Sequence, residues 1–300
     1  MGDVVGLVVT NTATLKRDFI KAFEGAPADY LAAMLFAPSG SASEKYGWLG
    51  QAPNMREWKD ERVPAGLRDW EYTIRNKRFE NSLSVDVPEL ERDQIGAIRV
   101  RIGDLAVRAK DFPHGLLSTL RKSGATLLCY DGAAFFATTH SEGDSGTQSN
   151  KLSQTGATID NVKTDFVAAR TAMTAFKDDR GQKPVRVALD LVVVCSPAME
   201  FIMREVFENP TLAAGGKNIY AGQARVEVDT GLSGNAWILE NRAGMLRGFI
   251  LQEELPVRLS NTDVTSDEAF MRGKVFFGTE WRGNAGYGDW RYAVSVGTIA

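Results

Sequence analysis

The chain has 300 residues, 44% hydrophobic and 24% charged, which is core-forming material for one large domain or two modest ones and not the composition of a disordered segment. Lys and Arg number 35 against 38 Asp and Glu, and a formal net charge of −3 removes the global basic field of a nucleic-acid binder. No apolar run approaches the ~18 residues of a membrane-spanning helix, so no membrane partner is expected. The N-terminus lacks the basic segment of a secretory signal, and Gly6 stands where a myristoylation motif wants Ser or Thr.

Catalytic and metal-binding vocabulary is sparse. The chain holds two Cys and two His, whereas a structural zinc site wants four N/S ligands, so no metal and no cofactor is expected. Cys195 ends the run Val192-Val193-Val194 and reads as a small core hydrophobe, while His140 reads as a loop residue near a strand end. Two cysteines allow one bridge at most, in keeping with a reducing compartment. A nucleophilic pair of Cys129 and His140 is the enzymatic alternative, a Cys/His hydrolase with no motif behind it. Phosphate-binding glycine loops, nucleophile elbows and metalloprotease helices are absent, and Gly286-Tyr287-Gly288 reads as a Gly-aromatic turn.

In chain order, an apolar stretch at Val4–Val9 precedes a helix after Thr12/Thr14, with Leu15, Phe19, Ala22 and Phe23 at helical spacing. A second apolar segment, Tyr30–Phe36, stops at Pro38-Ser39-Gly40. Residues 41–87 carry Trp48, Trp58 and Trp70 among interleaved Arg, Lys, Asp and Glu, with Val63-Pro64-Ala65-Gly66 as a turn. Trp70, Tyr72 and Ile74 alternate, as do Phe79, Leu83, Val85 and Val87, the period of a strand. The pattern predicts a long β-hairpin that has little apolar mass of its own and needs a surface to lie upon. Its aromatic and Arg content suits a protein–protein contact better than a nucleic-acid stripe, because mixed charge signs weaken the potential.

Asp86 and Glu89 then offer a capping box with Pro88 in the first turn. Ile95, Ile98, Ile102, Leu105, Ala109 and Phe112 form one helical stripe; Pro113 is expected to kink or restart the helix, and Gly124 to end it. After a loop over 141–157, Val162, Phe166, Ala169, Met173 and Phe176 mark a second amphipathic helix, and Leu189–Cys195 a buried strand. Ser196-Pro197 is expected to cap a third helix to about Phe207. Short strands follow at Arg225–Val228, Trp237–Glu240 and Phe249–Leu251, a longer one near Lys274–Trp281, and a last one at Arg291–Val296. The class is mixed α+β.

Several segments, in this order, resemble the Mu-like phage major head subunit family: Lys45–Gln51, Met55–Trp58, Tyr72–Glu80, Glu91–Gly96, Leu128–Gly132 with Phe135-Phe136 and His140, and Arg282–Gly288. The resemblance runs over essentially the whole chain and is weakest at about 205–235. It implies the tailed-phage capsid fold (the Johnson or Hong Kong-97-type fold). The segments it implies are an N-terminal arm (1–42), an E-loop hairpin (43–82), a peripheral domain with a spine helix (83–185), an axial domain (186–255) and strands returning to the peripheral domain (256–300).

The function so implied is a structural major capsid protein, not an enzyme, that self-assembles into hexamers and pentamers of an icosahedral head around double-stranded DNA. Trp48, Arg56, Trp58, Arg62, Arg68 and Trp70 are the expected inter-subunit contacts of the E-loop. Implied partners are further copies of the chain, a portal, a separate scaffolding protein and protease, and non-specifically held DNA, with the need for a decoration protein open. The arm-like region begins almost at Met1, which favours separate scaffolding, and no Lys, Asn and Glu trio matches the cross-linking members, so no covalent cross-link is expected. A bacterial nanocompartment (encapsulin-like) shell around cargo enzymes is the alternative within the same fold.

Overall fold

The computed structural model describes residues 2–47, 72–91, 95–184, 187–211, 215–262 and 265–299. Helix α1 (Gly2–Gly25) opens the chain. A short continuous apolar run satisfies helix and strand patterns alike, and here Val4–Val9 belongs to the helix. Helix α2 (Tyr30–Ala33) and strand β1 (Met34–Pro38) divide the predicted Tyr30–Phe36 segment. Strands β2 (Ser43–Lys45), β3 (Thr73–Arg75) and β4 (Lys77–Asp86) follow. Phe79, Leu83 and Val85 share the covered side of β4, whereas Glu80, Ser82 and Ser84 are exposed.

Helices α3 (Val87–Glu91) and α4 (Ile95–Ser123) occupy the predicted spine. Of its stripe, Ile98, Ile102 and Leu105 are buried and Ala109 and Phe112 half-buried. Pro113 does not restart the helix: it sits inside α4, and packing there outweighs the backbone hydrogen bond that a proline cannot donate. Asp86, expected as a cap, is the last residue of β4, with its carboxylate 3.8 Å from the Lys274 ammonium. The 29 residues of α4 span about 44 Å at ~1.5 Å per residue. Gly124 follows the helix because a Cβ there would lie 2.4 Å from the Phe136 ring.

Strand β5 (Lys151–Leu152) leads to α5 (Ile159–Ala175), which Thr158 caps by accepting the Asn161 N–H. Val162, Phe166, Ala169, Met173 and Phe176 are all buried, as their spacing predicts. Strand β6 (Leu191–Cys195) is buried throughout, and a 3-10 turn at Pro197–Met199 enters α6 (Glu200–Phe207). The Ser196 hydroxyl does not cap that helix; it donates to the Gly234 carbonyl at 2.6 Å. Strands β7 (Arg225–Val228), β8 (Trp237–Asn241) and β9 (Phe249–Asn261), helix α7 (Asp267–Arg272), strand β10 (Lys274–Tyr287), a 3-10 turn at Trp290–Tyr292 and strand β11 (Ala293–Val296) complete the described elements. Gly286 and Tyr287, expected in a turn, end β10 and pair with Ile250 and Phe249.

The class is α+β. One sheet runs β1-β9-β10-β4, a second runs β5-β11-β8-β6-β7, and β2 pairs with β3 alone. Helices α1 and α4 pack together against the four-stranded sheet, with Leu15, Phe19, Ile102, Leu105, Val85 and Phe277 in one core. A larger core joins the five-stranded sheet to α5 and α6. The expected segment limits cut across these layers. Within the expected N-terminal arm, 1–42, α1 lies along α4 and β1 joins a sheet. Residues 77–82, the end of the expected hairpin, pair along β10. Strand β9 crosses the 255/256 boundary, and β11, expected to return to the peripheral domain, pairs with β8.

Candidate functional site

Ser43 opposes Arg75 and Lys45 opposes Thr73 in the β2–β3 pair, and the Tyr46 N–H donates to the Tyr72 carbonyl at 2.8 Å. Tyr46 and Tyr72 therefore stand side by side at the two ends of the segment that lies outside the described residues. Trp48, Arg56, Trp58, Arg62, Arg68 and Trp70, with the turn at 63–66, lie outside the described residues.

The β2–β3 root is held by side chains from the four-stranded sheet. Gln252, buried on β9, accepts the Tyr46 hydroxyl at 2.7 Å and donates to the Ile74 carbonyl at 3.3 Å and to Asn76 Oδ1 at 2.7 Å. Asn76 Nδ2 donates to Ser39 Oγ and the Ser41 carbonyl, and Asn284 Nδ2 to the Arg75 carbonyl. The Tyr72 hydroxyl accepts the Tyr287 N–H at 2.8 Å. Burial pushes the Tyr46 and Tyr72 phenols up to about 12, so both remain neutral hydrogen-bonding groups. Gly286 is required here, because a Cβ would sit 2.4 Å from Ile74.

The last turns of α4 are fastened to the five-stranded sheet by a buried ion network. Arg121, with no exposed surface, reaches Glu240 at 2.8 Å, Asp229 at 2.9 Å and Glu227 at 2.9 Å. Arg242 closes the ring on Glu227 and Glu240, and the Ser118 hydroxyl donates to Asp229 at 2.6 Å. Burial works against the charged carboxylates, yet the Ser118 hydroxyl and the guanidinium charges outweigh it and hold Asp229 and Glu227 below their ordinary range. The sequence reading missed this network. Its one signal is an acid inside an apolar strand pattern, as in Trp237-Ile238-Leu239-Glu240.

Large apolar side chains stand in solvent at several places that the sequence reading also missed. Phe201 on α6 is 80% exposed, and Phe270 and Met271 on α7 are 88% and 77% exposed. Ile219 and Met245 are similarly open. Such residues on a chain with ample core suit a molecule whose surface is meant to be covered.

Cys129 and His140 do come together, but as no catalyst would arrange them. Asp131 lies between: the thiol donates to Oδ1 at 2.9 Å, and His140 Nδ1 is 2.6 Å from Oδ2. Burial and then the Asp131 carboxylate push the thiol far above its ordinary value, the opposite of nucleophile activation. His140 is no exposed loop residue; it is fully buried and stacked on Trp290 with ring centroids 4.1 Å apart.

The sequence matches the family described as Mu-like prophage major head subunit gpT over residues 9–162, 157–232 and 227–298. The chain is 23% identical over 281 residues to the Mu-like prophage FluMu major head subunit of Haemophilus influenzae, covering 93% of this chain and 70% of that protein. It is 25% identical over 281 residues to the major capsid protein of Escherichia phage Mu, covering 94% and 70% respectively. Its fold is similar to a subunit of the bacteriophage JBD30 procapsid, with a TM-score of 0.62, 24% identity and coverage of 97% of this chain and 74% of that one. A JBD30 capsid decorated with minor capsid protein trimers gives 0.52 at 18% identity, covering 90% and 64%. On these matches, the chain belongs to the Mu-like prophage major head subunit gpT family and is a structural capsid subunit of a phage head.

Proposed function

We propose that the segment rooted at Tyr46 and Tyr72 is an E-loop that drapes over a neighbouring copy, and that the subunits close into hexamers and pentamers of an icosahedral head. The β2–β3 pairing, fixed to the body through Gln252, carries this reading, because it brings the two ends of the 46–72 segment together, and the aromatic and Arg content of that segment suits a protein–protein contact. Cyclic capsomers need heterologous contacts that close, and the exposed Phe201, Phe270 and Met271 offer further apolar area at ~25 cal/mol per Å². Trp48, Trp58 and Trp70 act as anchors, while Arg56, Arg62 and Arg68 pair across subunits and set register more than affinity. Several weak contacts on one subunit act together, so the shell is stronger than any one of them.

The near-neutral chain suits a container that releases its contents, with packaged DNA held weakly, without sequence preference and in a salt-sensitive way. A portal, a separate scaffolding protein and a protease complete the assembly, and trimers like those on the decorated JBD30 capsid are candidates for the outer surface. A nanocompartment shell shares the fold, and the family match favours the phage head over it.

Electron microscopy of particles from the expressed full chain is the test. Closed shells are expected, and Ala substitution at Trp58 or Trp70 is expected to cost ~2 kcal/mol or more per contact. Shell melting should fall while the circular dichroism of the dissociated subunit stays unchanged. If none of the six Ala substitutions moves shell melting, the E-loop assignment is wrong.

A further inference from the structure

We propose that Cys129, Asp131 and His140 form a buried site for one divalent zinc ion. Among the described residues these are the side chains whose thiol, carboxylate and imidazole atoms converge, all within 4.8 Å of one another. A count of Cys and His alone overlooks the site, because the third ligand is a carboxylate.

Three observations carry the proposal. The first is orientation. Asn150 Nδ2 donates to the carbonyls of Phe135, Trp290 and Ala293, which fixes its Oδ1 as an acceptor toward His140 Nε2 at 3.1 Å. His140 therefore turns Nδ1 toward Asp131 and Cys129, and its other ring nitrogen is held by an outer partner, as zinc-binding histidines are. Trp290, stacked on the ring, keeps that orientation.

The second is charge. One hydrogen lies between Cys129 Sγ and Asp131 Oδ1, and one between Asp131 Oδ2 and His140 Nδ1. Zinc entering the site displaces those two hydrogens as protons to solvent and forms bonds to Sγ, a carboxylate oxygen and Nδ1. The two protons released balance the double charge of the ion.

The third is ligand chemistry and spacing. Thiolate, imidazole and carboxylate are the zinc set, with Zn–S about 2.3 Å and Zn–N or Zn–O about 2.0 Å, which puts ligand atoms roughly 3.3–3.6 Å apart around a tetrahedron. The present 2.6 and 2.9 Å separations are hydrogen-bond lengths, and an opening of roughly half an ångström to an ångström converts them. Three protein ligands leave the fourth position to water. The ion would tie the 129–131 turn to the 140–150 loop beneath Trp290.

The test uses the full chain, both as particles and as dissociated subunit, so that a failure here leaves the capsid reading untouched. Protein grown with added zinc is passed through a desalting column, its metal content is measured, and cobalt(II) is then exchanged in. The expected result is about one zinc per chain and a near-ultraviolet thiolate-to-cobalt charge-transfer band, retained in Cys195→Ala and lost in Cys129→Ser. Cys129→Ser keeps a donor toward Asp131, and circular dichroism checks that it folds. Chelation should lower the wild-type melting temperature and leave that of Cys129→Ser unchanged. Wild-type protein that retains well under one zinc per chain and gives no thiolate band, or a band that survives in Cys129→Ser, overturns the proposal.

Discussion

Arg121 is the residue on which most charge depends. Its guanidinium answers three carboxylates in a place with no exposed surface, so removing it strands those anions. Arg121→Met is expected to destabilise the subunit by ~3–5 kcal/mol in denaturant melts, and Arg121→Lys to recover part of the loss because an ammonium cannot serve three acceptors in one plane. The same network sets an acid limit. Asp229 and Glu227 are held below the ~4 of an unfolded carboxylate, so their stabilisation is complete above that pH and is lost as pH falls through their lower folded values. Melting temperature followed from pH 6 downward should fall below about pH 4, and less steeply in Arg121→Met. Apart from Glu240 in its apolar strand pattern, little of this was legible beforehand, because the partners lie 106, 108 and 119 residues from Arg121.

At the scale of elements, the periodic ones were readable. The stripes of α4 and α5 and the apolar run of β6 announce themselves, since one buried face is enough to specify them. Strands β9 and β10 outran their signals. Pro256 lies within β9 where the β9–β10 register slips, beyond the stretch of β9 that pairs with β1, so its missing donor disturbs little. Gly283 and Gly286 read as turn residues, yet a Cβ at Gly283 would lie 2.3 Å from the Gln252 carbonyl, so these glycines permit close strand packing. Of the expected contact site only its root is described, and Gln252 makes three of the side-chain hydrogen bonds there. Gln252→Leu is expected to remove three side-chain hydrogen bonds and to raise amide exchange at Thr73–Arg75, while the amides of β6 keep wild-type protection. Equal loss of protection in both strands would show that the root does not open separately.

Over the whole molecule, one apolar core lies under α1 and α4 and another around the five-stranded sheet, and the ion network joins the last turns of α4 to that sheet. Helix α7 sits between β9 and β10, capped by Ser266 and stopped by Gly273 at φ +62°, and it carries Phe270 and Met271 outward. Phe270→Ser with Met271→Ser is expected to leave the subunit folded, since neither side chain lies in a core, and to reduce the yield of closed particles in sedimentation. Unchanged yield would mean that α7 stays uncovered in the shell. That network also has a thermal consequence. Hydration of charged groups becomes less favourable on heating, so keeping Arg121, Arg242 and their carboxylates out of water costs less as temperature rises, while the gain from apolar burial levels off. In a warmed subunit the junction of α4 with the five-stranded sheet therefore outlasts the oily layers beside it, and melting begins within a layer.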